Sequence, residues 1–524
     1  MIRVGEIKLK LEEDESVLKH KIIKRLRISA NDILEQRIYK KGLDARKKEN
    51  IHYVYTVDVK LKNEKKVLEH TKAKNVTIAP DMTYYFPQGK SLLKTRPVIV
   101  GFGPAGMFAG LLLAEMGMCP IVLERGEDVD SRTKTVELFW MGKGLNTESN
   151  VQFGEGGAGT FSDGKLTARS KDIRSRKVLE EFVEAGAPEQ ILYDNKPHIG
   201  TDKLKMVVKN IRKKIISLGG EVYFNSKVTD LKIAEGNMKA VIVNDSTRIN
   251  TEAVVLATGH SARDMFELLY KKGVYLEQKP FAMGVRIEHK QSMINEVQYG
   301  EKAKQLPPAD YRLTYTTKKG RAVYTFCMCP GGYVVNASSE RGHIAINGMS
   351  ECKRDGENAN SALLVQIFPE DFGSKEPLAG IALQRKLEQR AFHMAKGAVP
   401  VQLLGDFLKG ECSQMWGNVK SSCPSEVMFC NIVDILPEFM TEALQEAIVE
   451  FGKKLEGFDQ QCAVISAVES RSSSPVRIVR NEQKQSVSVR GLYVVGEGAG
   501  YAGGIVSAAI DGIIAAEQIF QMGK

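Results

Sequence analysis

The chain has 524 residues, 43% of them apolar, a length and content that set a prior of about two to four domains with substantial buried cores. Its eight cysteines show no dense, even spacing, which excludes a disulfide framework and fits a reducing, cytoplasmic location. The opening stretch MIRVGEIKLKLEEDES has no apolar segment of the kind a secretory signal requires. Most of the +10 net charge lies in residues 1–90, which carry 21 Lys and Arg against 13 Asp and Glu. A solvated Lys-rich surface accounts for this better than an anionic partner, and no aromatic–basic signature for RNA is present.

Residues 1–90 read as a small basic α+β domain. A strand is expected over Ile2–Leu11, an amphipathic helix over Glu15–Leu26, and two strands in ILEQRIYKKGLDARKK and IHYVYTVDVKLK. The polar stretch PQGKSLLKTR is the expected linker. An α/β pattern begins at Arg96, with strands at Val98–Val100 and Ile121–Glu124 around a helix at Met107–Met116. A helix at Asp202–Leu218 follows, then strands at Glu221–Phe224, Lys239–Val243 and Ala253–Ala257. The charge-free run Pro97–Ala114 is long enough to suggest a membrane span, but its glycines and Pro104 fit strand–turn–helix instead. No membrane association is expected.

The expected division is therefore 1–90, a Rossmann-like first part of a cofactor domain at 96–265, a mixed α+β substrate domain at 266–455, and a C-terminal return of the cofactor domain at 456–524. The fold class is α/β with an inserted α+β domain and a small N-terminal α+β domain.

RPVIVGFGPAGMFAGLLLAEMGMCPIVLERG carries the strongest chemical signal. Gly101, Gly103 and Gly106 stand between a strand and a helix, and Glu124 closes the next strand 23 residues after Gly101. Gly101 permits the turn, Gly103 lets the backbone approach a pyrophosphate, and Gly106 lets helix and strand pack closely. Pro104 and Ala105 begin the helix, whose N-terminus attracts phosphate. Glu124 is placed to accept from an adenosine ribose, while Arg125 beside it also suits the 2′-phosphate of NADP.

The loop SNVQFGEGGAGTFSDGKLTAR has neither a strand before it nor a helix after it, so its glycines are no second fingerprint. Gly156, Gly157, Thr160 and Lys165 read instead as backbone and polar groups pressed against a large flat cofactor. TEAVVLATGH ends a strand at Thr258 and Gly259 beside the nucleotide, and Val228 joins the cofactor-binding set. Near the end, GEGAGYAGGI places Gly496 and Glu497 after a strand, and Gly504 and Ile505 at the start of a last helix. A βαβ unit needs about 30 residues, and only 21 follow Gly503. This strand–turn–helix must complete the domain begun at Arg96. Two helix ends and three loops around one ligand indicate FAD rather than NAD alone.

With VGFGPAGMFAG, ATGHSARD, FCMCPGG, VESRSSSPVRIVR and VGEGAGYAGGI in hand, and GLDARKK in the first domain, the chain resembles the bacterial family of FAD-dependent dehydrogenases. That family belongs to the glutathione-reductase-type flavoprotein superfamily. The resemblance implies a FAD fold interrupted by a substrate domain, and an oxidoreductase of undefined substrate. It also implies that Gly496 and Glu497 take the place of the Gly-Asp pair that contacts the flavin ribityl chain and pyrophosphate in related flavoproteins.

On the substrate side, Arg471 and Arg477 are candidates for holding an anionic substrate or stabilising reduced flavin. Their alternative is a salt bridge to Glu469 or Asp511. Cys327 and Cys329 are structural small residues or flavin-facing thiols, and no metal site is expected from the cysteine spacing. Arg286 and Glu288 read as structural, and His260 as structural or a general acid. The expected function is a FAD-dependent dehydrogenase acting on a small, anionic organic molecule, with NAD(P)H as a possible transient electron donor. The alternative is a flavoprotein of RNA modification, docking nucleic acid through its basic first domain; nucleic acid is the less expected partner.

Overall fold

The structure, a computed structural model, describes residues 1–71, 73–89, 91–167 and 172–521. Lys90 of the expected linker and Ala168 and Arg169 at the end of the expected glycine loop lie outside these residues. Among the described residues no helix is long and apolar enough to cross a membrane.

The first unit runs as strand Ile2–Lys10, helix Val17–Leu26, strands Ile33–Asp44 and His52–Leu61, helix Glu64–His70 and strand Val76–Ile78. In space the order is Ile33–Asp44, His52–Leu61, Ile2–Lys10, Val76–Ile78, every neighbour antiparallel. This is the split β-α-β arrangement. Alternation along the strands sends Ile2, Val4, Tyr55, Val57 and Val59 onto Leu18 and Ile22 of the first helix, making a core of its own. The second helix and fourth strand were not expected from the sequence. A three-residue strand has no period to read; its pairing with Ile2–Val4 defines it.

This unit is also docked. Its edge strand exchanges backbone bonds with the cofactor domain, Lys41 N donating to Tyr193 O at 2.7 Å and Asn195 N donating to Lys41 O at 2.8 Å. Ile51 belongs to the main core of the substrate domain. The connecting segment is tied down as well, the Tyr84 hydroxyl donating to Glu517 at 2.7 Å.

The cofactor domain is built on a five-stranded parallel sheet ordered Leu492–Val494, Val254–Leu256, Val98–Val100, Ile121–Leu123, Glu221–Tyr223. Strands buried on both faces are continuous apolar runs, as VIV and VVL are here. Helix Pro104–Glu115 is buried almost all round and lies against the last helix, Ile505–Phe520. Their approach is so close that a Cβ on Gly512 would fall 2.0 Å from Ala105 O. The C-terminal segment thus supplies an edge strand and a packed helix to the domain that begins at Arg96.

The substrate domain carries a seven-stranded sheet ordered Thr314–Thr316, Ala322–Cys329, Asn358–Ile367, Phe281–Lys290, Val464–Glu469, Val399–Leu403, Val427–Phe429. Here the expected boundary at 456 needs correction. Val464–Glu469 pairs on both sides inside this sheet, so the return to the cofactor domain comes after Glu469. The segment VISAVE is entirely buried and reads alike in either sheet; register with its neighbours decides which one takes it.

Candidate functional site

The strand ends of the parallel sheet and one face of the seven-stranded sheet enclose a single cavity of about 820 Å³. That is within the range of small-molecule and cofactor sites, and it lies at the carboxyl ends of the strands, where open α/β sheets bind ligands.

Of the expected cofactor-binding residues, Gly101, Gly103, Pro104, Ala105, Glu124, Arg125, Gly157, Lys165, Val228, Thr258, Gly259, Gly496, Glu497, Gly504 and Ile505 all line this cavity. Gly106, Gly156 and Thr160 do not; they stand behind it. A Cβ on Gly106 would fall 2.0 Å from Gly101 O, and one on Gly156 would fall 2.0 Å from Thr160 Oγ1. These two glycines shape the loops from inside, and Thr160 bonds to Glu155 O at 3.3 Å rather than facing the cavity.

The helices at Pro104 and Ile505 both open onto the cavity, and neither N-terminus has a side-chain cap. Their first N–H groups have no helical partner, and their dipoles add positive potential. At Gly103 an added Cβ would meet only Gly157 Cα, at 3.7 Å. The space in front of that backbone belongs to the cavity. Bare backbone, two uncapped helix ends and a long cavity fit an extended dinucleotide.

Both oxygens of the Glu124 carboxylate are engaged by backbone N–H groups. One carboxylate oxygen accepts from Phe102 N at 2.8 Å, and the other from Gly126 N and Gly154 N, each at 2.9 Å. It therefore ties the fingerprint turn to the glycine loop. Arg125 is committed, to Glu148 at 2.5 Å and Asp264 at 3.0 Å, over the Phe153 ring. That leaves its guanidinium no free fork for the 2′-phosphate of NADP.

The Glu497 carboxyl has no hydrogen-bond partner among the described residues, its backbone carbonyl alone accepting from Gly500 N at 3.0 Å, and burial raises that carboxyl to about 7, with Lys279 opposing. An acid whose folded pKa is raised binds its proton more tightly folded than unfolded. Stability then falls as pH climbs from the unfolded value near 4.5 to about 7. In FAD-free protein, Glu497→Gln should flatten the decline of melting temperature between pH 5 and 7.5, to a degree set by this one proton. Parallel wild-type and variant curves would show that Glu497 is solvated.

The expected catalytic residues separate. Arg471 reaches the cavity wall, but its guanidinium is bound to Glu388 at 3.1 Å and to the Ser339 hydroxyl. Neither Glu469 nor Asp511 is its partner. Arg263 grips the same Glu388 at 2.8 Å. Burial alone would raise the Glu388 carboxyl; the two guanidiniums hold it well below the usual carboxylate range. Removing one partner of such a buried pair leaves an uncompensated charge, so this network locks the cofactor-domain helix Arg263–Lys271 to the substrate-domain helix Ala379–Met394. Arg477 is not part of the cavity lining and stacks on Tyr501 at 5.2 Å. The arginine paired with Asp511 is Arg480, at 2.6 Å. Burial, with Arg471, Arg263 and Lys279 near, lowers His260 to about 3. Its ring is neutral at pH 7, so it offers no imidazolium acid.

Cys327 and Cys329 both line the cavity, yet they differ. Strand Ala322–Cys329 carries an extra residue between Phe326 and Cys329 relative to its neighbour, a β-bulge that re-aims a side chain. Cys327 takes the unusual φ of +41° at this bulge. It is accessible from the cavity, but lost solvation pushes its thiol up to about 12, so it is no thiolate nucleophile at neutral pH. Cys329 is fully buried, with its Sγ donating to Cys327 O at 3.2 Å. Arg286 and Glu288 do not pair with each other. Arg286 binds Glu469 at 2.9 Å and also Cys327 O at 2.6 Å, which fixes the bulge, while Glu288 accepts from Ser421 and Ser422.

The cavity wall also holds residues that no sequence pattern marks: Asp163, buried against Arg354 and Ser350, and the face formed by Arg312, Tyr324 and Phe326. Neither has a local motif. Both follow from which strands meet.

Residues 280–472 match the sequence family described as FAD-dependent protein, C-terminal domain-like, and residues 1–60 match a domain of unknown function. An uncharacterized protein of Clostridium beijerinckii is 50% identical over 526 residues, covering 99% of this chain and 98% of that protein. Among solved structures, a flavin-dependent brominase aligns at 14% identity and a TM-score of 0.37, over 82% of this chain and 80% of its own. A geranylgeranyl bacteriochlorophyll reductase-like protein of Thermoplasma acidophilum aligns at 12% identity and a TM-score of 0.35, over 81% and 77%. At these scores neither structure informs the chemistry of this chain.

Proposed function

Because the chain belongs to one family with the Clostridium beijerinckii protein and carries the FAD-dependent C-terminal domain, its cofactor is FAD, and we propose that it is an oxidoreductase of the dehydrogenase type acting on a small organic anion. The observation that carries this reading is the single cavity, which runs from the glycine turn at Gly101 to the open face of the substrate sheet at Phe326.

In this reading Gly103, Ala105 and the two helix N-termini hold the pyrophosphate, Glu124 the adenosine ribose, and Gly496 and Glu497 the ribityl chain. Bound FAD supplies a ring that accepts a hydride from a substrate placed against it. The protein's task is to position that substrate and exclude water. The bulge at Cys327, braced by Arg286, shapes the wall between the cofactor end and the substrate end. The Lys165 ammonium is held by Met328 O and by Asp163 at 3.6 Å, keeping a positive charge at the same junction. The lock of Arg263 and Arg471 on Glu388 holds the two domains in register, so the substrate face cannot drift from the cofactor.

The test is anaerobic mixing of the purified yellow protein with a panel of organic acids and their neutral analogues. Bleaching of the flavin band by one or more acids, reversed by an added electron acceptor, is expected. If dithionite bleaches the flavin and only neutral compounds of the panel do so as well, the assignment of an anionic substrate is wrong.

A further inference from the structure

The substrate end of the cavity has one charged side chain left over. Among the charged lining residues of the substrate domain, Arg354 is held by Asp163, Glu469 by Arg286, Arg471 by Glu388, and Asp310 by Lys196 at 2.7 Å. Arg312 has no hydrogen bond, ion pair or ring contact among the described residues, and it is exposed where it lines the cavity.

Its placement is dictated by the sheet. Thr314 pairs with Tyr324. One step back, Leu313 N donates to Thr325 Oγ1 at 2.8 Å and Thr325 N donates to Leu313 O at 2.9 Å. Arg312 therefore stands opposite Phe326. The alternation continues past the strand's first residue, Thr314: Tyr311 and Leu313 are buried and Arg312 is exposed, with the Tyr311 ring, which also touches the cavity, meeting Phe458 edge-on at 5.6 Å. Arg312, Thr314, Tyr324 and Phe326 share the other face, and all four line the cavity. Tyr324 and Phe326 are set edge to face, with ring centres 6.4 Å apart. Phe326 keeps 41% of its surface uncovered, leaving a large apolar ring open to the cavity.

We propose that the substrate is a flat aromatic monocarboxylic acid, its carboxylate held by the fork of Arg312 and its ring laid against Phe326 and Tyr324; this rests on the oxidoreductase reading above. A guanidinium matches a carboxylate with two parallel hydrogen bonds. Every other charged residue of the substrate-domain lining already has an oppositely charged partner, so Arg312 is the guanidinium of that lining left free for a carboxylate. The exposed rings offer apolar area and edge-to-face contacts that an aliphatic or sugar acid cannot use.

The experiment titrates benzoate, benzamide and acetate into the yellow holoprotein and follows the flavin absorption band. Benzoate is expected to perturb the band saturably, with benzamide and acetate weaker by about tenfold or more. Arg312→Gln should weaken benzoate by about tenfold or more and Arg312→Lys by less, with FAD content unchanged in both. Phe326→Ala should weaken benzoate and leave acetate as it was. Absence of benzoate binding, equal binding of benzamide, or wild-type benzoate affinity in Arg312→Gln would overturn the proposal. Equal binding of acetate would remove the aromatic part of it. A colourless protein, seen before any ligand is added, would instead fault the cofactor reading; a benzoate-dependent thermal shift on that protein still reports on Arg312.

Discussion

Gly103→Val should give a folded protein that no longer holds FAD. The backbone at Gly103 is extended, with φ −77° and ψ −176°, a conformation open to any residue. The nearest atom to an added Cβ is Gly157 Cα at 3.7 Å, an ordinary contact. The fold therefore tolerates a side chain, but its methyl groups enter the space in front of the Pro104 helix, where the pyrophosphate is to lie. We expect an affinity loss of about a hundredfold or more, read as flavin absorbance per protein, with a melting curve close to that of the FAD-free wild type. Gly106→Val is the contrasting variant. There a Cβ would fall 2.0 Å from Gly101 O and 3.2 Å from Ile99 Cγ2, so the first turn of the helix must part from the strand, and folding itself should suffer. Full FAD occupancy in Gly103→Val would remove the pyrophosphate from this turn.

Truncation after Arg490 should lose both FAD and solubility. It deletes the edge strand Leu492–Val494, which pairs in parallel with Val254–Leu256, and the helix Ile505–Phe520. That helix buries Ile505, Val506, Ile510, Ile513 and Ile519 in the cofactor-domain core. Five branched aliphatics at about 1.5–3 kcal/mol each match the whole stability of an ordinary domain, about 5–15 kcal/mol. The cut also removes Asp511, which accepts from Gly496 N at 2.9 Å and pairs with Arg480 at 2.6 Å, and so dismantles the turn that carries Glu497. The truncated chain should appear in the insoluble fraction, and any soluble part should be colourless. A soluble yellow product would show that the last strand and helix serve some other site.

Local, contiguous patterns were legible in the sequence. Val98–Val100, the glycine turn and Ile121–Leu123 lie within thirty residues, and the close packing that requires Gly106 is with Gly101 and Ile99 of the same βαβ unit, although Gly101 is also pressed by Ala257 from another strand. The shortage of chain after Gly503 made the C-terminal segment part of that same domain, because a strand and helix with no partner cannot bury their apolar faces. Charge along the sequence set the first ninety residues apart; in the structure Ile2 to Val76 contribute a cluster of their own, while Ile51 packs into the core of the substrate domain.

Partnership across the fold was not legible. Arg471, Arg477 and Arg480 occur in one short segment with equivalent chemistry. Only the tertiary packing gives Glu388, on Ala379–Met394, to Arg471, leaves Arg477 on Tyr501, and gives Asp511, on the last helix, to Arg480. Val464–Glu469 is apolar enough for either sheet, and hydrogen-bond register assigned it to the substrate domain. Arg312 carries no motif at all; it matters because strand alternation sets it beside Phe326 while every other charge of that wall finds a partner elsewhere. The sequence by itself determined the cofactor turn, since its steric and dipolar requirements are met by residues close along the chain. The tertiary structure decided which charges are spent and which remain free, since ion pairing depends on distances between segments that the order of residues does not contain.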